Sequence, residues 1–339
     1  MSTSQSYVPT EAELATSTDE EGTERMRRIM TAHPTRAESA ALDAADFAGD
    51  VPLTTERTRV HIPATHRSET KRPPRLTDAL DFWQFAGAAA NVAMQMARPG
   101  VGHGVADSKV ETGALMVHPW KRARTTTQYL AVAILGSEEE KRLFREAVNT
   151  AHRRVRSDPG AKVKYNAFDR NLQLWVACCL YIGFEDSYQL LHGKMSPEQA
   201  EEFYQTSSTL ATTLQVTEDM WPATRAEFDI YWNAASELAV VDDKVQAYVD
   251  DLLHLRMIFW PLRLVFGELL RFLTKGFLGT YFRELYSIEW SESDQRRFEN
   301  LFLFVGFVNR FIPKFIRFAP THWLMRDLRK RIKKEHAII

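Results

Sequence analysis

The 339-residue sequence predicts an all-α fold, a multi-helix bundle packed around one core. Three observations predict it. Apolar residues recur at helical spacing from about residue 79 onward. No stretch of useful length alternates apolar and polar residues with the period of a strand. Helix-capping residues and breakers punctuate the chain at helix-length intervals. No repeat of roughly 20 to 50 residues suggests a solenoid.

The elements follow in order. Residues 1–75 are rich in Thr, Glu, Ala, Arg and Pro and read as a disordered or loosely helical extension, with a short helix around Glu21–Thr31. Thr77-Asp78 is an N-cap pair for a buried helix from Ala79 to about Ala97, which Pro99-Gly100 ends. Gly102 and Gly104 then suggest a flexible connection through Lys109. A helix from about Trp120 to Leu135 closes on Gly136. Ser137 and Glu140 form a capping box for the next, which reaches about Arg156 before Asp158-Pro159-Gly160. Asp169 caps a helix from Arg170 to about Ile182. Further helices are expected near Asp186–His192, Pro197–Leu214, Thr224–Leu238, Lys244–Met257, Phe259–Lys275 and Ser291–Phe311. The helical domain spans 76–325, and 326–339 reads as a basic tail.

Composition removes several functions. The net charge of −1 argues against the whole molecule as a polyanion binder, and no nucleic-acid module is present. The two cysteines, Cys178 and Cys179, are adjacent and offer neither a disulfide framework nor a zinc pattern. There is no G-x-S-x-G elbow, Walker loop or H-E-x-x-H. The Gly100–Gly104 run resembles half a phosphate loop but follows a helix, so it reads as a hinge. The start of the chain lacks a signal core. The apolar runs Leu130–Leu135 and Leu301–Val308 are too short to span a bilayer. The chain therefore reads as intracellular, in the cytoplasm, with peripheral membrane contact open. Residues 310–335 carry nine Lys or Arg against Asp327 and Glu335, interleaved with Phe311, Phe315, Phe318, Trp323 and Leu324. Either a membrane-surface segment or a solvated C-terminal helix gives this pattern.

Two helices place polar groups on apolar faces. Phe144, Val148, His152 and Val155 share one face, while Lys141, Arg145, Glu146, Arg153 and Arg154 lie opposite. An inward neutral imidazole offers a nitrogen lone pair to a metal such as haem iron. A core histidine bonded to a carbonyl or carboxylate has the same spacing. Arg122, Thr126, Tyr129 and Ala133 share a face beside Leu130 and Ile134. An inward arginine requires an anion, either a haem propionate or substrate carboxylate, or an acidic side chain of another helix. Thr126 can donate to a ligand or to its own backbone. Met94, Met96, Trp175 and the cysteines suit the wall of a flat cofactor pocket, or an ordinary core.

In order along the chain these segments resemble the MpaB and rubber-oxygenase catalytic-domain family, which includes the latex-clearing proteins. NVAMQMARPGVGHGVADS (91–108) resembles the family's Q-x-A-x-P-x-V-x-x-G-V-x-x-S stretch. RARTT and QYLAVAILG (122–136) are similar to its R-x-x-x-T helix. AVNTAHRRVR (147–156) contains H-x-x-V-R, and KYNAFDRNLQLWV (164–176) resembles Y-x-A-x-D followed by an apolar helix. MWPATRAEFDIYW (220–232) and RFAP (317–320) have counterparts, so the likeness covers about 78–325. The resemblance implies a globin-like all-α fold with haem b, His152 as the proximal iron ligand, and Arg122 and Thr126 lining the pocket. It implies an oxygenase that uses dioxygen on an apolar, lipid or isoprenoid, substrate, with Asp107 or Glu111 as general base. Some relatives carry a lysine as distal iron ligand where this chain has Thr125, and rubber-cleaving relatives are secreted, so polyisoprene cleavage is not implied. The alternative is a non-catalytic membrane-peripheral or haem-binding helical protein.

Overall fold

A computed structural model describes residues 54–68, 72, 74–108, 110 and 113–339. Among these the fold is all-α: helices and short 3₁₀ turns, with isolated bridges and no strand. The expected helix at Glu21–Thr31 lies outside the described residues.

The packed chain starts earlier than residue 76. A single-turn helix, α1 (Thr55–Thr58), leads into Arg59, which is 9% exposed. Arg59 Nη1 lies 3.0 Å from Glu185 Oε2, and its Nε donates to Asp186 Oδ1 at 2.9 Å. The Val60 amide donates to the other Asp186 oxygen, and the Trp232 indole donates to Thr58. The segment has few apolar residues, so hydropathy misses it. Buried ion pairs rather than an apolar face hold it down.

The first buried helix is shorter than its apolar pattern. Two 3₁₀ turns, Leu76–Ala79 and Phe82–Phe85, precede α2 (Ala88–Met96). Asp81 caps the second turn by accepting the Trp83 amide at 3.0 Å, and the chain is spent in turns before it can propagate a helix. The expected glycine hinge is a helix, α3 (Pro99–Ala106), with Pro99 at its first position. Gly102 serves close packing instead of flexibility. A Cβ there would stand 2.5 Å from the Met96 carbonyl and 2.8 Å from Val245.

Next come α4 (Pro119–Leu135) and α5 (Glu138–His152), the latter opened by the expected Ser137–Glu140 capping box. α5 stops at His152, short of Arg156, because Val155, Ser157 and their neighbours bond to residues 165–167 in a tight loop. α6 (Arg170–His192) runs for 23 residues where two helices were expected. Packing on every side of it outweighs the poor helix propensity of Gly183. It is the axis of the core: Trp175, Cys178, Cys179, Tyr181 and Ile182 are fully buried, and Trp175 stacks on Trp232 at 5.0 Å.

α7 (Pro197–Gln205) and α8 (Thr209–Thr212) replace one expected helix, since the hydroxyls of Thr206 and Ser207 both turn back onto the Phe203 carbonyl. α9 (Arg225–Ser236), α10 (Asp243–Leu253), α11 (Trp260–Gly276), α12 (Thr280–Leu285) and α13 (Glu292–Asn309) follow. The chain ends in α14 (Lys314–Arg317) and α15 (Ala319–Lys333). α15 is not a free basic tail. Met325 and Leu328 join Ala131, Val132, Phe144 and Val148 in a second small core, and Arg329 pairs with Glu140 at 2.7 Å.

Candidate functional site

His152 closes α5, and the helix faces seen in sequence carry into space. Val148 and Phe144, one and two turns earlier, are buried in the second small core. They fix the rotation of α5 and so turn His152 inward. Its Nδ1 is buried and has no hydrogen-bond partner. Burial, with the positive charge of Arg122 nearby, pushes the imidazole pKa down to about 4. The ring is therefore neutral at ordinary pH and holds an unspent lone pair, the state a metal ligand needs.

Arg122 and Thr126 stand one turn apart on α4. The guanidinium Nη1 donates to Thr126 Oγ1 at 2.8 Å. The neighbouring threonines behave differently: Thr125 and Thr127 donate back to the carbonyls of Lys121 and Ala123, both at 2.9 Å. Arg122 is open to water, yet surrounding protein desolvates it enough to lower its pKa. No carboxylate of a described residue pairs with it. The polar group that faces it from α10 is Tyr248, whose phenol pKa is raised by burial and drawn down by Arg122. Arg122 thus stands at the centre of the group: it bonds Thr126, and its charge is felt by His152 on α5 and Tyr248 on α10. Tyr248 was not singled out from sequence, because its neighbour Arg122 lies more than a hundred residues away.

The other expected residues that are described make different contacts. Asp107 caps the end of α3 with both oxygens engaged: His103 Nδ1 is 3.0 Å from one, and Lys244 Nζ is 2.7 Å from the other. Although burial opposes it, the hydrogen bonds from Lys244 and His103 hold the Asp107 carboxyl below its usual range. A carboxylate so stabilised is a weak proton acceptor. His103 Nε2 also meets Asp242 at 2.8 Å, so this cluster ties α3 to α10. Glu111 lies outside the described residues. Met94, Met96, Trp175, Cys178 and Cys179 are at most 3% exposed and belong to the packed core. Arg145, expected to face water, donates to the carbonyls of Thr213 and Thr212 at 2.7 and 3.1 Å, because the end of α8 leaves acceptors unpaired. Next to the site, Tyr129 donates to the Leu210 carbonyl at 2.6 Å, fixing α4 against α8.

The donor set suits a haem. One imidazole suffices for the iron, so no multi-residue metal cluster is needed, and none occurs among the described residues. A family model described as ER-bound oxygenase mpaB/B'/Rubber oxygenase, catalytic domain, matches residues 78–307. An uncharacterized protein of Mycobacterium bovis and one of Mycobacterium tuberculosis are each 43% identical over 251 residues, covering 74% of this chain and 98% of their own length. No solved structure matches.

Proposed function

The chain belongs to the family of the ER-bound oxygenase mpaB/B' and rubber oxygenase catalytic domain, and from that premise we propose that it is a haem b-dependent oxygenase acting with dioxygen on an apolar, lipid or isoprenoid, substrate. The observation that carries the reading is the buried, unpartnered Nδ1 of a neutral His152 beside Arg122 and Thr126.

His152 is the residue that would hold the iron. When bound, haem supplies the redox chemistry and the activation of dioxygen. The remaining roles belong to the chain. Arg122 meets no carboxylate among the described residues, so its partner in this reading is an anionic group of the ligand, a haem propionate or a substrate carboxylate, which its planar fork fits. Thr126 is oriented by Arg122, and in this reading its own O–H is left to donate to the ligand. The small core under α4 and α5 holds both helices so that the three groups stay in register. In this reading the protein works in the cytoplasm. Asp107 is better placed to position α3 than to move a proton.

The test is the absorption spectrum of wild type and His152→Ala, each expressed with a haem precursor. Wild type is expected to show a Soret band and the variant to lose it. Equal haem content in both would remove His152 from the role. Oxygen consumption with a long-chain alkene then separates an oxygenase from the second reading, a membrane-peripheral or haem-binding helical protein without turnover. The exposed apolar residues of α11 and α13 support that second reading.

A further inference from the structure

Among the described residues, all large apolar side chains exposed to solvent, save Val117, Trp120 and Leu135, fall between residues 259 and 323. We propose that the outward faces of α11 and α13, with the segment that follows α13, form a surface that docks on the lipid–water interface of an anionic bilayer.

The pattern on each helix points outward. On α11, Leu262, Val265, Phe266 and Leu269 lie at positions i, i+3, i+4 and i+7, the spacing by which a helix turns one stripe toward a core. Here the stripe faces water, and Val265 is 70% exposed. Of the seventeen residues of α11 only Gly267, Thr274 and Gly276 are buried. α13 is apolar on two sides. Phe298, Phe302, Gly306 and Asn309 are buried, whereas Phe304, Phe307, Val308 and Phe311 repeat the same spacing outward, with Phe311 at 72%. Isolated exposed apolar residues are ordinary, but two adjoining helices with outward stripes mark an interaction surface.

The two stripes lie on neighbouring helices. Lys275 of α11 lies near Asp294 of α13, and three residues earlier Phe272 meets Phe298 at 6.1 Å. The helices therefore run antiparallel, and the start of α11 comes beside the end of α13.

Charge and shape choose the occupant. From residue 300 to 326 there is no acidic residue, while Arg310, Lys314, Arg317 and Arg326 are basic; Arg317 is engaged with Asp81. Arg263 adds a further exposed cation on α11. Basic residues around an apolar patch suit an anionic lipid surface. Trp260 and Trp323, 62% and 60% exposed, are the residue type that anchors at the headgroup level. No helix among the described residues is long and apolar enough to cross a membrane, and Arg263, Glu268 and Arg271 interrupt α11, so the surface lies on the bilayer. A second copy of the chain fits poorly, because a two-fold contact would face these cations with one another and offer no acid between 300 and 326. The basic segment after residue 310 thus contributes its first part, through Trp323 on the outer side of α15, while Leu324, Met325 and Leu328 turn to the protein.

Flotation of the full chain with lipid vesicles tests this, and no step of the test depends on haem or turnover. Wild type is expected to float with vesicles of phosphatidylcholine and phosphatidylglycerol. The double variant Val265→Asp, Phe307→Asp should bind at least about tenfold more weakly, since two apolar side chains no longer leave water. The double variant Arg263→Glu, Lys314→Glu should lose about tenfold or more on the anionic vesicles, and added salt should weaken wild type likewise. All four positions are exposed, so both variants should melt as wild type does, and the charge variant tests the surface even if the apolar one fails to fold. Wild type that stays in the aqueous fraction overturns the proposal, as does an apolar variant that floats unchanged. A wild-type dimer that Val265→Asp, Phe307→Asp converts to monomer would also overturn it, by assigning the face to a second copy.

Discussion

His192, at the end of α6, sits beside Asp78, Asp81 and Tyr188 and is pushed down to about 4 by burial, with Arg317 acting in the same direction. The native state therefore keeps it neutral while the unfolded chain takes up a proton near its ordinary pKa of 6.5. The stability this difference represents is present above about pH 6.5 and is lost as pH falls through about 4; it amounts to about 3 kcal/mol. His192→Gln should melt with a shallower pH dependence than wild type between these limits. If the two melting curves move in parallel with pH, His192 is not titrating as its surroundings imply. Residue-scale electrostatics of the same sign keep His152 neutral, where a charged ring would have no lone pair to offer.

Between elements, the closest approach near the exposed surface is made at Gly276, where α11 meets α13. A Cβ on Gly276 would lie 2.2 Å from Phe298 Cδ2. Phe298 is fully buried and has Phe272, Phe277, Trp290 and Phe302 around it, so its ring has nowhere to go. Gly276→Ala should destabilise the protein by about 3 kcal/mol, the cost of overpacking a closed core site. The midpoint of urea unfolding reads this directly. An unchanged midpoint would mean that the two helices are free to separate there. Two of the three buried residues of α11, Thr274 and Gly276, lie in its last turns, while the apolar stripe from Leu262 to Leu269 stays uncovered.

For the molecule as a whole, residues 54–68, ahead of the expected domain start, are part of the fold. Arg59 reaches Glu185 and Asp186, buried acids of the central helix, and Arg225 also approaches Glu185 at 3.3 Å. Removing Arg59 would leave two buried carboxylates facing one guanidinium. Breaking a buried pair in this way costs about 3–5 kcal/mol, a large part of the stability of a domain. A chain that begins at residue 76 should therefore lose its cooperative thermal transition or melt far below the full chain. Arg59→Met in the full chain should lower the melting temperature in the same direction. A chain from 76 that melts with the full-length protein would show the segment to be a passenger.

What the sequence determined by itself is local. The capping box at Ser137–Glu140, the Asp169 cap, the inward turn of His152 and the shared face of Arg122 and Thr126 all depend on residues within one or two turns, and a helix's hydrogen bonds and periodicity act over that range, whereas Arg122 itself is exposed rather than inward. The ordered landmarks of the family are of the same kind. Tertiary structure decided what depends on distant neighbours. Arg59 finds its partners 126 and 127 residues away, Tyr248 comes to Arg122 from another helix, and packing on all sides carries α6 through Gly183. Pro99–Ala106 is a helix because α2, α6 and α10 pack against it, with Leu172 at Gly100 and Val245 at Gly102. The apolar stripes of α11 and α13 read alike in sequence whether they face a core or water, since periodicity reports that a face is apolar and only the neighbouring elements decide what covers it.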